Sequence, residues 1–272
     1  MVESQEEGEY VTLTFDTGKV IRQLKENDVT YSMPDFITYD IRDRESFEYY
    51  KELAQAKNPW TKEQIAAACE KFKGRTQPLR LHLRGTWGDM RELMGPVMAS
   101  TVLYDDPQLA HDVLDFFQEE NRRVWFPVIE CLKPEIVTIS EDFCYNHGMF
   151  FSPEHFEEFC APQYREDARV CRENGVAMFA VDCDGFVERA ADLLADCGVN
   201  AMFPWEVKAG NDLARVREKH PDFILMGGLE KECINEGNEG TIEHEILSKV
   251  PPLLQKGYYF PNGDHGIQPL VT

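Results

Sequence analysis

The amino-acid sequence predicts a parallel α/β barrel, and three observations support this. From residue 79 onward, six apolar segments of strand length alternate with amphipathic segments of helix length. Such alternation is typical of βα units that build a parallel sheet. The length of 272 residues suits a barrel, since barrels of this kind have about 250 residues in one domain. Acidic side chains also follow most of the predicted strands, where the active sites of parallel α/β proteins lie.

The first 30 residues differ from the rest and predict a β-hairpin. Residues 10–15 alternate between apolar and polar side chains, Asp16-Thr-Gly18 is a turn signal, and residues 19–24 form the second strand. Two helices are predicted next, over 43–56 and 61–73. We therefore divide the chain into an N-terminal β-hairpin of residues 1–30 and a barrel domain of residues 31–272.

The predicted barrel elements follow in regular order. The strands are predicted over 79–84, 135–140, 176–181, 199–204, 223–227 and 258–260. The helices between them are predicted over 87–98, 107–131, 153–174, 185–197, 209–220 and 241–256. A closed barrel of this type has eight strands, so we expect the first strands and the last helix to be lacking. An open six-stranded sheet is the alternative.

Composition and charge exclude several classes of partner. The net charge is −21, whereas nucleic acids and anionic membranes are bound by clusters of Lys and Arg. The sequence has no run of 18 apolar residues, so we expect no membrane span. Eight cysteines occur without a CxxC pair, and no charged-then-apolar leader is present, which favours reduced thiols in a cytoplasmic protein.

Polar side chains at the predicted strand ends are the candidate functional residues. They are Asp142, Asp182, Asp184, Glu206, Glu230, Asp264 and His265. Crowded carboxylates repel one another, and this raises some of their pKa values unless a cation neutralises them. Either a divalent metal lies among them, or they bind a cationic or polyol substrate or transfer protons. His265 favours a metal such as zinc, because imidazole with carboxylates suits that ion. Capping of the following helices by each acid is the structural alternative.

Two further residues are candidates for substrate contacts. His82 alternates with Leu81 and Leu83, so it occupies the opposite face of its strand, where it can point into the barrel. Trp205 follows the strand at 199–204 and can form an aromatic wall, although core packing explains most such residues.

The strand-end motifs resemble the uroporphyrinogen decarboxylase superfamily, in particular its decarboxylase-like branch related to cobalamin-dependent methyltransferases. The resemblance extends from about residue 30 to the end of the chain. The motifs that carry it are Val181-Asp-Cys-Asp-Gly185, Pro204-Trp-Glu206, Met226-Gly-Gly-Leu-Glu230 and Asp264-His-Gly266. It implies a (β/α)8 barrel of the TIM type in which the six predicted strands are the third to the eighth.

The resemblance also implies a reaction and its residues. We expect a metal-dependent methyltransferase that moves a methyl group from a small O- or N-methylated compound to a corrinoid carrier protein. Some family members bind zinc through two glutamates and a histidine, and Glu230, Glu245 and His265 approach that spacing with one residue fewer. Asp182, Asp184 and Glu206 are then the catalytic acids that orient the substrate or donate a proton. Asp142, His82, Trp205 and Asp264 are the expected substrate contacts.

Two other functions stay open at this point. One is a decarboxylase of the same superfamily that works without metal and uses the acids as proton donors. The other is a truncated, non-catalytic barrel that serves as a partner subunit. A second chain, or another copy of this one, would then complete the barrel.

Overall fold

A computed structural model of the chain describes residues 2–26, 33–57 and 60–266. Strands β1 to β12 are, in order, Glu3–Glu7, Tyr10–Thr14, Val20–Leu24, Asp35–Thr38, Arg80–His82, Ile136–Ser140, Cys144–Tyr145, Gly148–Met149, Met178–Cys183, Ala201–Pro204, Ile224–Leu229 and Tyr259–Gly263. Helices α1 to α11 are Arg44–Lys57, Lys62–Lys71, Trp87–Asp105, Pro107–Glu120, Phe126–Leu132, Pro153–His155, Ala161–Glu173, Glu188–Cys197, Leu213–Lys219, Lys231–Asn235 and Glu239–Lys256. Two π-helical segments, Asn121–Trp125 and Phe156–Cys160, precede α5 and α7.

The six strands predicted for the barrel are confirmed, and they form one parallel sheet. The strand order is β12-β11-β10-β9-β6-β5, so each long strand pairs with the next one along the chain. The short strands β7 and β8 form a separate hairpin in the connection between β6 and β9. An order without reversal brings successive βα loops to neighbouring positions along the sheet edge, as in a barrel wall.

In the part of the chain that the structure describes, this sheet is open, with β5 and β12 at its edges. The mixed α/β fold with six parallel strands is therefore confirmed. Closure into an eight-stranded barrel stays a prediction.

One compact unit contains the described residues up to Thr61 together with Met90–Val113. Its antiparallel sheet has the order β1-β2-β3-β4. The predicted hairpin is confirmed as β2 and β3, with Tyr10 opposite Leu24 and Thr14 opposite Val20. The structure adds β1 and β4 on either side of it. The predicted domain boundary at residue 30 lies outside the described residues and stays a prediction.

The second compact unit contains Lys62–Asp89 and the described residues from Leu114 onward, and it holds the parallel sheet. Val137, Ile139 and Val181 are completely buried on one face of this sheet. On the other face, Met178, Ala180 and Ala201 form an apolar cluster with partly buried neighbours. The sheet is thus apolar on both faces, as expected of parallel strands in an α/β fold.

A buried polar network inside the second unit includes a fully buried acid, Asp167 on α7. Its Oδ1 accepts a hydrogen bond from Gln118 at 3.1 Å, whereas its Oδ2 is buried without a partner. The Oε1 atom of Gln163, one helical turn earlier, is also buried without a partner. Burial raises the pKa of Asp167 well above its ordinary value, and the negative charges of Glu166 and Glu141 act in the same direction.

This raised pKa predicts a pH dependence of stability. A carboxyl whose pKa is higher in the folded than in the unfolded chain contributes stability that is complete below the unfolded pKa. That contribution is lost as pH rises through the folded pKa. We expect the free energy of unfolding of wild type to fall with rising pH relative to that of Asp167→Asn, whose side chain stays neutral. Urea unfolding of both proteins between pH 5 and 9 measures this; parallel curves would contradict it.

Two further structural findings concern membranes and thiols. Within the described residues, every helix is too short or too polar to cross a lipid bilayer. All eight cysteines are free thiols. Cytoplasmic localisation stays a prediction.

Candidate functional site

The carboxyl ends of β6, β9, β10 and β12 bring together the strand-end acid cluster, which comprises Asp142, Asp182, Asp184, Glu206 and His265. The pairing of Ser140 with Asp182 aligns the ends of β6 and β9. Asp142 Oδ1 accepts a hydrogen bond from Asp184 N at 3.0 Å, and Glu206 Oε2 accepts one from Gly185 N at 3.0 Å. The Nε2 atom of His265 lies 3.3 Å from Asp184 Oδ1. The structure thus brings five predicted site residues into one place.

Burial and neighbouring charges raise the pKa values of two acids in this cluster. Burial, followed by the negative charges of Asp142 and Asp184, raises the pKa of Asp182 to about 6. The hydroxyl of Ser140, 3.4 Å from Asp182 Oδ2, opposes this change. Burial and the charge of Asp142 also raise the pKa of Asp184, and His265 opposes that shift. An acid that titrates close to neutral pH is suited to proton transfer, so Asp182 is the best candidate for a general acid.

The three residues of the predicted zinc site are engaged in other interactions. Glu230 Oε1 lies 2.7 Å from the ammonium group of Lys208. Glu245 pairs with Lys249 and accepts a hydrogen bond from Glu230 N at 2.8 Å. His265 contacts Asp184 instead of either glutamate.

A zinc ion does not fit these residues as they are arranged. Lysine ammonium groups already neutralise both glutamates, whereas a metal ligand must offer its lone pairs to the ion. Within residues 2–26, 33–57 and 60–266, no three His, Cys, Asp or Glu side chains form a group that could hold a metal. The zinc site stays a prediction.

Asp264 connects two loops beside the cluster. Its carboxylate accepts hydrogen bonds from Val207 N at 2.9 Å and from Lys231 N at 3.1 Å, and its side chain is fully buried. These bonds hold the loops that follow β10 and β11 against the end of β12. A direct substrate contact by Asp264 stays a prediction, and its observed contacts are structural.

His82 and Trp205 lie in different surroundings. His82 is exposed at the end of β5, with its Nδ1 3.1 Å from Thr138 Oγ1. Desolvation, followed by the charges of Arg80 and Arg84, lowers the pKa of His82. It occupies the same sheet face as Asp182, because Thr138 and Ser140 lie two residues apart on β6.

Trp205 is fully buried and donates a hydrogen bond to the carbonyl of Met202 at 2.7 Å. It lines a cavity of about 260 Å³ together with Leu213 of α9 and Leu253 of α11. The apolar cavity therefore lies between helices, whereas the acids lie at the strand ends. Substrate contacts by Trp205 and by His82 stay predictions.

Some residues of this region could not be identified from the sequence as parts of the site. Lys208 and Lys249 neutralise the two glutamates, yet a lone lysine in a loop or on a helix is usually a solvated charge. Glu141 immediately precedes Asp142 and is 1% exposed. In the sequence, the signal that could have identified Glu141 was its position next to Asp142. Its burial could not be predicted, because only the folded structure reveals that a glutamate is buried.

Comparisons with known proteins agree with the fold. The family described as uroporphyrinogen decarboxylase (URO-D) matches residues 27–272 of this chain. The search of curated proteins finds no match. Among solved structures, a methyltransferase from Methanosarcina mazei is 20% identical with a TM-score of 0.55, over 77% of this chain and 59% of that one. This chain therefore spans 59% of the length of that methyltransferase.

A mandelate racemase/muconate lactonizing protein from Paracoccus denitrificans PD1222, complexed with magnesium, is a more distant likeness. It is 12% identical over 93% of this chain and 73% of that one, and its TM-score of 0.30 supports no conclusion. The likeness to the Methanosarcina protein concerns the fold, whereas the family match spans nearly the whole chain and includes every residue of the acid cluster. The chain belongs to the uroporphyrinogen decarboxylase family.

Proposed function

We propose that this chain is a methyltransferase that moves a methyl group from a small O- or N-methylated compound to a corrinoid carrier protein. The observation that carries the proposal is the strand-end acid cluster, in which Asp182 has a pKa of about 6. The family match and the likeness in fold to a methyltransferase support the same class of reaction.

Asp182 has a defined chemical task in this reaction. When the bond between a methyl carbon and an ether oxygen breaks, the electron pair stays on the oxygen, which then takes up a proton. Protonated Asp182 donates that proton and becomes a carboxylate. A methylated ammonium compound leaves as a neutral amine and needs no proton, so the pH dependence distinguishes the two kinds of methyl donor.

The other residues of the cluster hold the loop that follows β9 in place. Glu206 and Asp142 each bind a backbone amide of the loop after β9, which keeps Asp184 at a constant position beside Asp182. His265 lies against Asp184 and completes the same rim. The corrinoid, bound to its carrier protein, supplies the group that accepts the methyl carbon.

The purified chain tests the proposal directly. Free cob(I)alamin serves as the methyl acceptor, and methoxylated aromatic compounds and methylated amines are offered as donors. We expect methylcobalamin to form, as followed by its absorbance, with at least one donor class. If wild type forms no more methylcobalamin than a control without protein with any donor, the proposal fails.

A decarboxylase is the second candidate, and the name of the matching family supports it. The proton of Asp182 would then go to the carbon that loses carbon dioxide. The negative charges of the cluster oppose this function, because they repel a substrate that carries several carboxylates. Release of carbon dioxide from a carboxylated tetrapyrrole in the presence of a chelator would favour the decarboxylase over the methyltransferase.

A further inference from the structure

Glu141 lies at the end of β6, next to the acid cluster, and its side chain is almost completely buried. Four donors surround its carboxylate. Thr86 donates to it from the backbone at 2.7 Å and from the hydroxyl at 2.8 Å, Gly88 N lies at 2.7 Å, and the hydroxyl of Tyr164 lies at 2.6 Å. These donors come from the start of α3 and from α7, so Glu141 joins two helices to the end of a strand.

The start of α3 packs directly on the backbone of Ser140 and Glu141. A Cβ atom at Gly88 would lie 2.6 Å from Ser140 O and 2.7 Å from the Cα of Glu141, so a side chain there would collide with the backbone. On its other side, Glu141 N donates a hydrogen bond to Asp182 O at 2.9 Å. The hydrogen bonds to the side chain of Glu141, the hydrogen bond of its backbone amide and the packing of α3 together hold residue 141 in place.

The next residue, Asp142, has a φ of 51°, a left-handed conformation that non-glycine residues rarely adopt. Such a conformation persists where the surrounding structure determines it. It directs the carboxylate of Asp142 to Asp184 N, at 3.0 Å.

We propose that Glu141 is a positioning residue that holds Asp142 in this conformation and thereby sets the geometry of the strand-end acid cluster. The buried carboxylate does not touch the substrate. It acts through Asp142, whose charge reaches both Asp182 and Asp184. The proposal rests on the proposed function only for the role of Asp182 in the reaction, because the geometry of the cluster is measurable without turnover.

The test is the titration of Asp182 in two variants that each remove one donor to Glu141 and in one variant that changes Glu141 itself. Thr86→Val and Tyr164→Phe delete a single hydroxyl and keep the size of the side chain, and Glu141→Gln is the stronger change. The ¹³C chemical shift of the Asp182 carboxyl, assigned with Asp182→Asn, reports its pKa. The groups that face Asp182 are Asp142, Asp184, Ser140 and Arg80. None of these four residues is substituted in the three variants.

We expect the apparent pKa of Asp182 to fall by about one pH unit in Glu141→Gln and by less in the two single-donor variants, because Asp142 moves away. Val128→Ala is the matched control, since it leaves a cavity in a different apolar cluster and destabilises the protein without touching Glu141. Its Asp182 should titrate as in wild type.

Two outcomes would overturn the proposal. In the first, the three variants unfold at lower temperature than wild type while Asp182 titrates as in wild type. Glu141 would then stabilise the fold without positioning Asp142. The other is an equal change of the Asp182 titration in Val128→Ala, which would make it a general effect of lost stability. If Glu141→Gln does not fold, Thr86→Val and Tyr164→Phe decide the matter alone. These readings do not depend on methyl transfer, so failure of the proposed function leaves the result interpretable.

Discussion

Asp182→Asn is expected to lower the rate of methyl transfer from an O-methylated donor by about 10²–10⁴-fold, the usual contribution of a general acid. Asparagine has nearly the same shape as aspartate, but it has no proton to give to the leaving oxygen. The fold should survive the change, because Asp182 is half-buried and its carboxylate accepts a long hydrogen bond of 3.4 Å from Ser140. Formation of methylcobalamin from cob(I)alamin at saturating donor measures the rate.

The pH profile of wild type gives a second test of the same residue. Only the protonated acid is active, so kcat/KM should fall about tenfold for each pH unit above the pKa of Asp182, near 6. Asp142→Asn removes a negative neighbour, so the profile should shift to lower pH in that variant. Asp196→Asn, an exposed change on α8, is the neutral control. A full rate in Asp182→Asn would show that another group donates the proton or that none is needed.

Asp264→Ala is expected to destabilise the protein by about 3 kcal/mol, the largest effect on stability that we predict. The carboxylate is fully buried and accepts hydrogen bonds from Val207 N and Lys231 N. Alanine leaves both partly buried amides without this acceptor, and each unsatisfied donor costs about 1–3 kcal/mol, nearer the lower end where water has access. Urea unfolding at pH 7 measures the free energy of unfolding.

Two comparison variants sharpen this prediction. Asp264→Asn keeps one acceptor oxygen, so we expect a smaller loss than with alanine. Asp222→Ala removes the same charge at an exposed position, and in a chain of net charge −21 it should change stability little. Equal stability of Asp264→Ala and Asp222→Ala would show that Asp264 does not connect the loops after β10 and β11.

The elements of the fold could be predicted because their signals are local. Each strand of the parallel sheet appears as an apolar run between helix-length segments, and the hairpin of β2 and β3 is marked by alternation around a turn. Strand β1 was not predicted, because its sequence, Glu-Ser-Gln-Glu-Glu, is wholly polar and exposed. It forms a strand because β2 offers it backbone partners, from Glu3 opposite Thr14 to Glu7 opposite Tyr10.

The sequence predicted where the candidate site lies, but it did not predict which residues of the site contact one another. Parallel strands end at one edge, so acids after successive strands must gather there, and Asp142, Asp182, Asp184, Glu206 and His265 do. Spacing along the chain suggested that Glu230, Glu245 and His265 would share a metal. In the structure, Lys208 and Lys249 pair with the two glutamates. Sequence spacing carries no information about which cation lies nearest to an acid in space.

The sequence alone determined the α/β class, the six parallel strands and the edge of the sheet where the acids meet, because strand period and chain direction are properties of the local chain. The tertiary structure alone decided what each acid does. Burial, followed by the negative charges of Asp142 and Asp184, raises the pKa of Asp182 to about 6. Asp264 is buried between two loops, and Glu141 receives four hydrogen bonds from residues that are distant in the chain. Protonation and hydrogen bonding depend on desolvation and on neighbours that are distant in the chain, and folding alone brings these together.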